Sequence, residues 1–163
     1  MALYLKFDNL QGDVTEKNYK NYSTICALNF PAISTGCANA LGRSEYHAGG
    51  LPHFSTIQII KPLDSVSLLL ASAASCGRVF KEVTFVDTGA QTSDNQTPFL
   101  QTVFKNVRIS YYAKKHWGEG VAPCEIISFT YSSYTDRLTG KNADGSYKTP
   151  QAAGFDLEKI KAL

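Results

Sequence analysis

The chain has 163 residues, 44% hydrophobic and only 18% charged, with sixteen Lys and Arg against fourteen Asp and Glu. That length suits one domain, and folding can bury roughly 70% of the surface an unfolded chain of this size exposes, so no metal or disulfide is needed to replace a core. The sparse charge excludes a solvated coiled coil or a disordered tail, and a net charge of +2 is too weak to point to nucleic acid.

No apolar run approaches the ~18 residues of a membrane span. The start, Met1 to Asp8, alternates like a strand and lacks a basic region followed by an apolar one, so no cleavable signal is expected. Cys26, Cys37, Cys76 and Cys124 are scattered without a CxxC pair. They are expected to be reduced, partly buried thiols rather than disulfides or zinc ligands.

Taken in chain order, the dominant period is two. Leu3, Leu5 and Phe7 alternate with Tyr4 and Lys6, and a second strand fits residues 22–30 with Cys26, Leu28 and Phe30 on one face. From Ala32 to Pro52 the pattern is lost among Gly36, Gly42, Gly49 and Gly50. A structureless stretch of that length in a compact domain is usually functional. Alternation resumes at Phe54, Ile57 and Ile59. One helix follows, with Asp64 as its N-cap, an apolar stripe of Val66, Leu69, Leu70 and Ala73, and Gly77 as its left-handed close.

Strands return over 79–86 and 99–112. In the second, the apolar parity moves from even (Leu100, Phe104) to odd (Val107, Ile109, Tyr111), which predicts a bulge near Lys105-Asn106. A turn through Lys114 to Gly120 leads to a last strand over 124–134, with Ile127, Phe129 and Tyr131 on one face. Residues 136–163 read as a polar C-terminal appendage with a short helix at 156–162. The fold class expected is mainly β: an antiparallel β-barrel of two packed sheets, one flanking α-helix and a long extended loop, in a single domain over 1–163.

Candidate chemistry is thin. GxSxG is absent, and His47, His53 and His116 have no neighbours that complete a nucleophile motif or an HExxH pair. Gly118-Glu119-Gly120 is half of a phosphate-loop pattern set between antiparallel strands, where a hairpin turn accounts for it. Asn142 to Gly145 imitates the middle of a calcium loop without its closing glutamate. The Asn21 and Asn95 sequons carry little weight without a secretory signal. Tyr111-Tyr112 beside Lys114-Lys115 could stack on single-stranded nucleic acid. No catalytic residue, cofactor site or metal site is expected, and the chain is read as a non-enzyme.

Several segments together resemble the Hcp family, the haemolysin-coregulated tube proteins of bacterial type VI secretion. Leu5-Lys6-Phe7-Asp8-Asn9-Leu10-Gln11-Gly12-Asp13 is similar to the family's opening. Phe54 to Ser65, then Leu68-Leu69-Leu70 and Gly77 to Val83, resemble its strand–helix–strand segment. Asn106 to Tyr112 resembles the strand before the last hairpin, and Ala143 to Ser146 followed by Gly154 to Leu157 resembles the tail. Two departures stand out: Ser65-Val66 replaces the family's frequent Ser-Pro, and Phe155 stands where a tryptophan is usual.

The resemblance implies a ring of six copies and rings stacked into a hollow tube. That tube would be held in the bacterial cytoplasm before firing and then exported by the machine itself, with no signal peptide. Its implied partners are further copies of itself, a tip spike protein, a contractile sheath and effector cargo, with no nucleic acid and no membrane insertion. By position, the loop from Gly36 to Pro52 would make the inter-ring contact through Leu41, Gly42, Arg43, Glu45, Tyr46 and His47. The alternative reading is a small β-barrel that binds nucleic acid.

Overall fold

The computed structural model describes residues 2–37, 49–89, 98–116 and 118–163. Its organising element is β8 (Leu100–Lys115), a strand of 16 residues. One edge of β8 pairs antiparallel with β7 (Val79–Asp87). The other edge is shared: residues 100–105 pair with β10 (Ser133–Leu138) and residues 108–115 with β9 (Cys124–Thr130). At the change of partner Asn106 takes φ 52, and the buried parity passes from Thr102 and Phe104 to Val107 and Ile109. This is the irregularity expected at Lys105-Asn106. Asn tolerates that left-handed conformation because its short side chain can hydrogen-bond locally, and here Nδ2 donates to Ser132 Oγ at 2.9 Å. A second register shift between Ile109 and Tyr111 restores the first parity, so Tyr111 is exposed rather than in the core row where its odd position had placed it.

The sheet extends from β8 in three directions. Through β7 it reaches β1 (Leu3–Phe7) and β2 (Ser23–Thr24). Through β9 it reaches β6 (Ile57–Pro62) and β3 (Ala27–Asn29). Through β10 it reaches β11 (Gln151–Asp156) and β12 (Lys161–Ala162). The expected continuous strand over 22–30 is broken at Ile25-Cys26. Ile25 N–H donates to Leu3 O at 3.0 Å and Cys26 N–H to Ile60 O at 2.8 Å, so the segment leaves β1 and joins β6. The described strands therefore form a strongly folded antiparallel sheet that does not close as a barrel. The expected class holds in its β content, antiparallel pairing and flanking helix; the ladder is left open where β2 pairs with β1 and β3 with β6 but the two do not pair with each other.

Inside the folded sheet lie Leu5, Phe7, Ile57, Ile59, Val83, Phe85, Phe104, Val107, Ile127 and Phe129, each almost fully buried. Burying side chains of this kind contributes about 1.5–3 kcal/mol apiece before entropy is counted. Helix α1 (Ser67–Cys76) packs on this core through Val66, Leu70 and Ala73. Its close is the expected one: Gly77 sits at φ 66 and donates to Ala73 O. Its start is not. Val66 occupies the N-cap position without a side-chain bond. The Asp64 carboxylate instead accepts from Val66 N–H (3.1 Å), and Asp64 N–H donates to Ser67 Oγ (2.9 Å), holding the preceding turn. Leu69, assigned to the apolar stripe, is 53% exposed.

The final stretch is strand-rich. β11 pairs along the whole of β10, and Gly154 permits the approach, since a Cβ there would lie 2.5 Å from Tyr134 O. The expected helix at 156–162 is instead a turn followed by β12. The Asp156 carboxylate accepts from the Glu158 and Lys159 amides, each at 3.0 Å, and directs the chain back onto β11.

Candidate functional site

The loop assigned to stacking leaves the body on a built base. β4 (Ile33–Cys37) and β5 (Gly49–Phe54) pair as a separate two-stranded ribbon. This corrects the reading of residues 32–52 as structureless: alternation fails there because the strands are rich in Gly, Ser and Thr, not because pairing is absent. Ser55 clamps the base, its Oγ accepting from Ala32 N–H at 2.8 Å and its own N–H donating to Ala32 O at 3.1 Å. Phe54 anchors it against Tyr134 and Phe155, with ring centroids 5.9 and 5.3 Å away. Leu41, Gly42, Arg43, Glu45, Tyr46 and His47, the contact candidates, lie outside the described residues.

The platform that carries α1 is a buried knot of charge. Lys61 and Glu125 face each other across the β6–β9 pair, and both side chains are 0% exposed. Lys61 Nζ lies 2.6 Å from Glu125 Oε1 and 2.8 Å from Asp64 Oδ1, and donates to Pro62 O at 3.0 Å. Ser67 Oγ donates to Glu125 Oε1 at 3.0 Å, and Tyr112 OH to Glu125 Oε2 at 2.5 Å. Ser23 Oγ donates to Asp64 Oδ2 at 2.6 Å. Burial first, and then the Glu125 hydrogen bond and charge, hold the Tyr112 hydroxyl well above the usual tyrosine range. Every charge in the knot is partnered, which is the condition under which buried ions are tolerated.

A second latch joins the N-terminal turn to the same helix start. Ser65 N–H and Oγ donate to the Asp13 carboxylate at 3.0 and 2.5 Å, and these bonds lower the Asp13 pKa. Gly12 makes the turn possible, because a Cβ there would meet Tyr22 O at 2.4 Å. The segment resembling the Hcp opening thus serves to fasten the chain across α1. Sequence reasoning gives none of Lys61, Glu125, Ser67, Asp13 and Ser65 a role of its own; Lys61, Asp13 and Ser65 enter it only within segments that resemble Hcp. One signal was available: Lys61 follows Ile57 and Ile59, and Glu125 precedes Ile127 and Phe129, on core-facing parities.

The remaining sequence candidates stay apart. His53 is exposed on β5, and His116 is exposed with Nδ1 accepting from Gly118 N–H at 3.3 Å. Tyr111 points outward while Tyr112 is committed to Glu125, so the pair offers no joint stacking surface and the nucleic-acid alternative loses its basis. Asn142 to Ser146 is a polar turn, with Ser146 N–H and Oγ donating to Asp144 at 2.9 and 2.6 Å. Cys26 and Cys76 are exposed rather than partly buried as expected, while Cys124 is half-buried. Among the described residues no group of three or more His, Cys, Asp and Glu side chains is arranged to hold a metal ion, and no helix is long and apolar enough to cross a membrane.

Comparison with known proteins follows from this geometry. The family model described as "Type VI secretion system effector, Hcp" matches residues 4–136. Among solved structures, one described as a type six secretion system protein superposes with a TM-score of 0.91 at 22% identity, covering 99% of both chains. A type VI secretion system effector from Yersinia pestis gives 0.74 at 19% identity over 94% of this chain and 98% of that one. Hcp1 from Salmonella typhimurium gives 0.75 at 15% identity over 99% and 98%. Among curated proteins, none matches the chain. The chain belongs to the Hcp family of type VI secretion tube and effector proteins.

Proposed function

We propose that the chain is a non-enzymatic subunit that closes into six-membered rings, and that the rings stack into the hollow tube a contractile sheath expels behind a tip spike, with effectors in its lumen. The observation that carries this reading is the family match over residues 4–136, backed by superposition on solved relatives along nearly the whole chain. Physics allows the architecture: a heterologous contact repeated by rotation closes a ring, and a separate axial contact propagates it. The subunit would fold in the bacterial cytoplasm and leave through the machine itself.

The loop on the β4–β5 base is assigned to the axial contact. Its support is its length, the rigid ribbon from which it springs and the polar–aromatic set of Arg43, Glu45 and Tyr46, which suits a partly polar interface that must come apart after delivery. Native mass spectrometry tests the ring: six copies of the 17.8 kDa chain give about 107 kDa, and a persistent monomer would overturn the reading. Replacing residues 41–50 by a short Gly-Ser linker should leave rings of native mass while abolishing tubes in negative stain. Tubes that persist would remove the loop from the axial contact, and monomers would move it to the ring contact.

A further inference from the structure

The outward face of α1 is unusual for a surface helix. Ser67–Cys76 contains no Lys, Arg, Asp or Glu, whereas an exposed helix ordinarily turns charged residues to water. Leu68 and Leu69 stand 71% and 53% exposed, and the uncharged row continues through Ser72, Ser75 and Cys76. This makes a convex apolar ridge fixed to the Tyr112 end of β8, where the Tyr112 hydroxyl oxygen lies 3.2 Å from Ser67 O.

The other end of β8 carries the converse. A groove of about 180 Å³ opens there, lined by Phe30, Pro31, Ile33, Leu100, Tyr134 and Asp136. Phe30 and Ile33 are both exposed, yet Phe30 is held edge-on to Phe85 at 5.4 Å, so the wall is built rather than loose. Ten residues of extended strand, about 30 Å, separate the groove from the ridge, and one chain cannot satisfy both.

The charges beside the two features are complementary. Arg78 follows the helix close, and Arg108 lies opposite Val79 in the β7–β8 register. At the groove, Asp136 accepts from Thr102 Oγ1 at 2.6 Å, and Asp87 lies opposite Leu100. Among the described residues none of these four makes an ion pair.

We infer that the α1 ridge of one copy seats in the groove of the next copy around the ring, with Leu69 entering between Phe30 and Ile33 and Arg78 turned toward the Asp136 carboxylate. The inference rests on the ring reading above and specifies which surfaces close it. A ridge meeting a groove is a heterologous contact that rotation can close into a ring. A two-fold dimer would instead use both pairs at once, ridge to groove and groove to ridge; the wild type would then stop at two copies in native mass spectrometry, overturning the inference. The central apolar contact with a charged rim is the ordinary anatomy of such an interface.

Leu69→Glu and Ile33→Glu alter exposed positions, so each variant should keep the wild-type far-ultraviolet circular dichroism and thermal midpoint. Each should run as a monomer in native mass spectrometry where the wild type is a ring. Mixed at equal concentration the two should form a heterodimer and nothing larger, because the intact ridge of the Ile33→Glu copy can still enter the intact groove of the Leu69→Glu copy. Rings that survive both substitutions, or monomeric variants that fail to pair when mixed, overturn the inference while leaving the ring itself standing. A wild-type monomer instead defeats the ring reading, and this inference with it.

Discussion

The two ends of β8 treat polarity in opposite ways. At the Tyr112 end, charge is buried and each charged group has its partner within the chain: Lys61, Asp64 and Glu125 with Ser67 and Tyr112. At the Leu100 end, apolar side chains are exposed, including Phe30, Ile33, Phe99 and Leu138. The first end is complete in one copy, because a buried ion tolerates no missing partner. The second gains nothing from water and is completed only by contact with another surface. Stability thus rests on the buried knot, whereas the surfaces proposed for assembly are the exposed apolar ones, the α1 ridge that sits over the knot and the groove at the Leu100 end.

The comparison breaks most severely at Lys61. Lys61→Met leaves two carboxylates in the knot without their cation, and removing one partner of a buried pair costs about 3–5 kcal/mol. Chemical denaturation should show a loss of that size, and Lys61→Met/Glu125→Gln should recover part of it. Equal losses in the single and double variants would mean the pair is not the unit of stability.

Two tyrosines sharpen the contrast. Tyr112→Phe deprives Glu125 of a donor, and hydrogen bonds to charged groups are worth about 1.5–3 kcal/mol. Tyr131, on the other half of the core against Phe104 and Tyr134, has a buried hydroxyl with no hydrogen-bond partner among the described residues. Tyr131→Phe should therefore leave stability unchanged or slightly raised, since it relieves an unsatisfied group. A large loss at Tyr131 would show that its hydroxyl is used.

Alkaline pH should have a gentler, more distributed effect. Burial is the main cause raising Tyr4, to about 12, and also the main cause raising Tyr112 and Tyr131; nearby carboxylates add to it in each case. Unfolded tyrosine titrates near 10. Above that pH the unfolded chain has lost protons the folded one still holds, so stability falls as pH rises. Thermal midpoints should hold steady up to about pH 9 and decline beyond 10, with tyrosinate absorbance lagging behind that of the denatured protein. A midpoint insensitive to pH 11 would contradict this.

How legible the molecule was in its sequence follows the same division. Where one face is buried, alternation shows through: Leu5 and Phe7, Ile57 and Ile59, Ile127 and Phe129 all lie where period two places them. β4 and β11 are held by backbone pairing, and β11 is largely exposed, so nothing forces its sequence to alternate. The helix was legible but its stripe was drawn too wide, because α1 docks through Val66, Leu70 and Ala73 alone and leaves Leu69 outside. Lys61 and Glu125 occupied core parity in plain view. Opposite charges at such positions identify each other only once strand register is known, and register depends on pairing between residues some sixty apart.

The pairing of β1 with β7 also bears on how the chain is made. One edge of β1 meets β2 within about twenty residues, but on the other Leu3 meets Asp87 and Phe7 meets Val83, so that edge finds its partner only after about eighty more residues. At synthesis rates of ~5–20 residues per second, that is a wait of about 4–16 s. Throughout it, that second edge of β1 stays open, an edge of the kind that pairs with the wrong neighbour. The vulnerable moment therefore comes during translation, and a chaperone bound to nascent β1 would protect every later step.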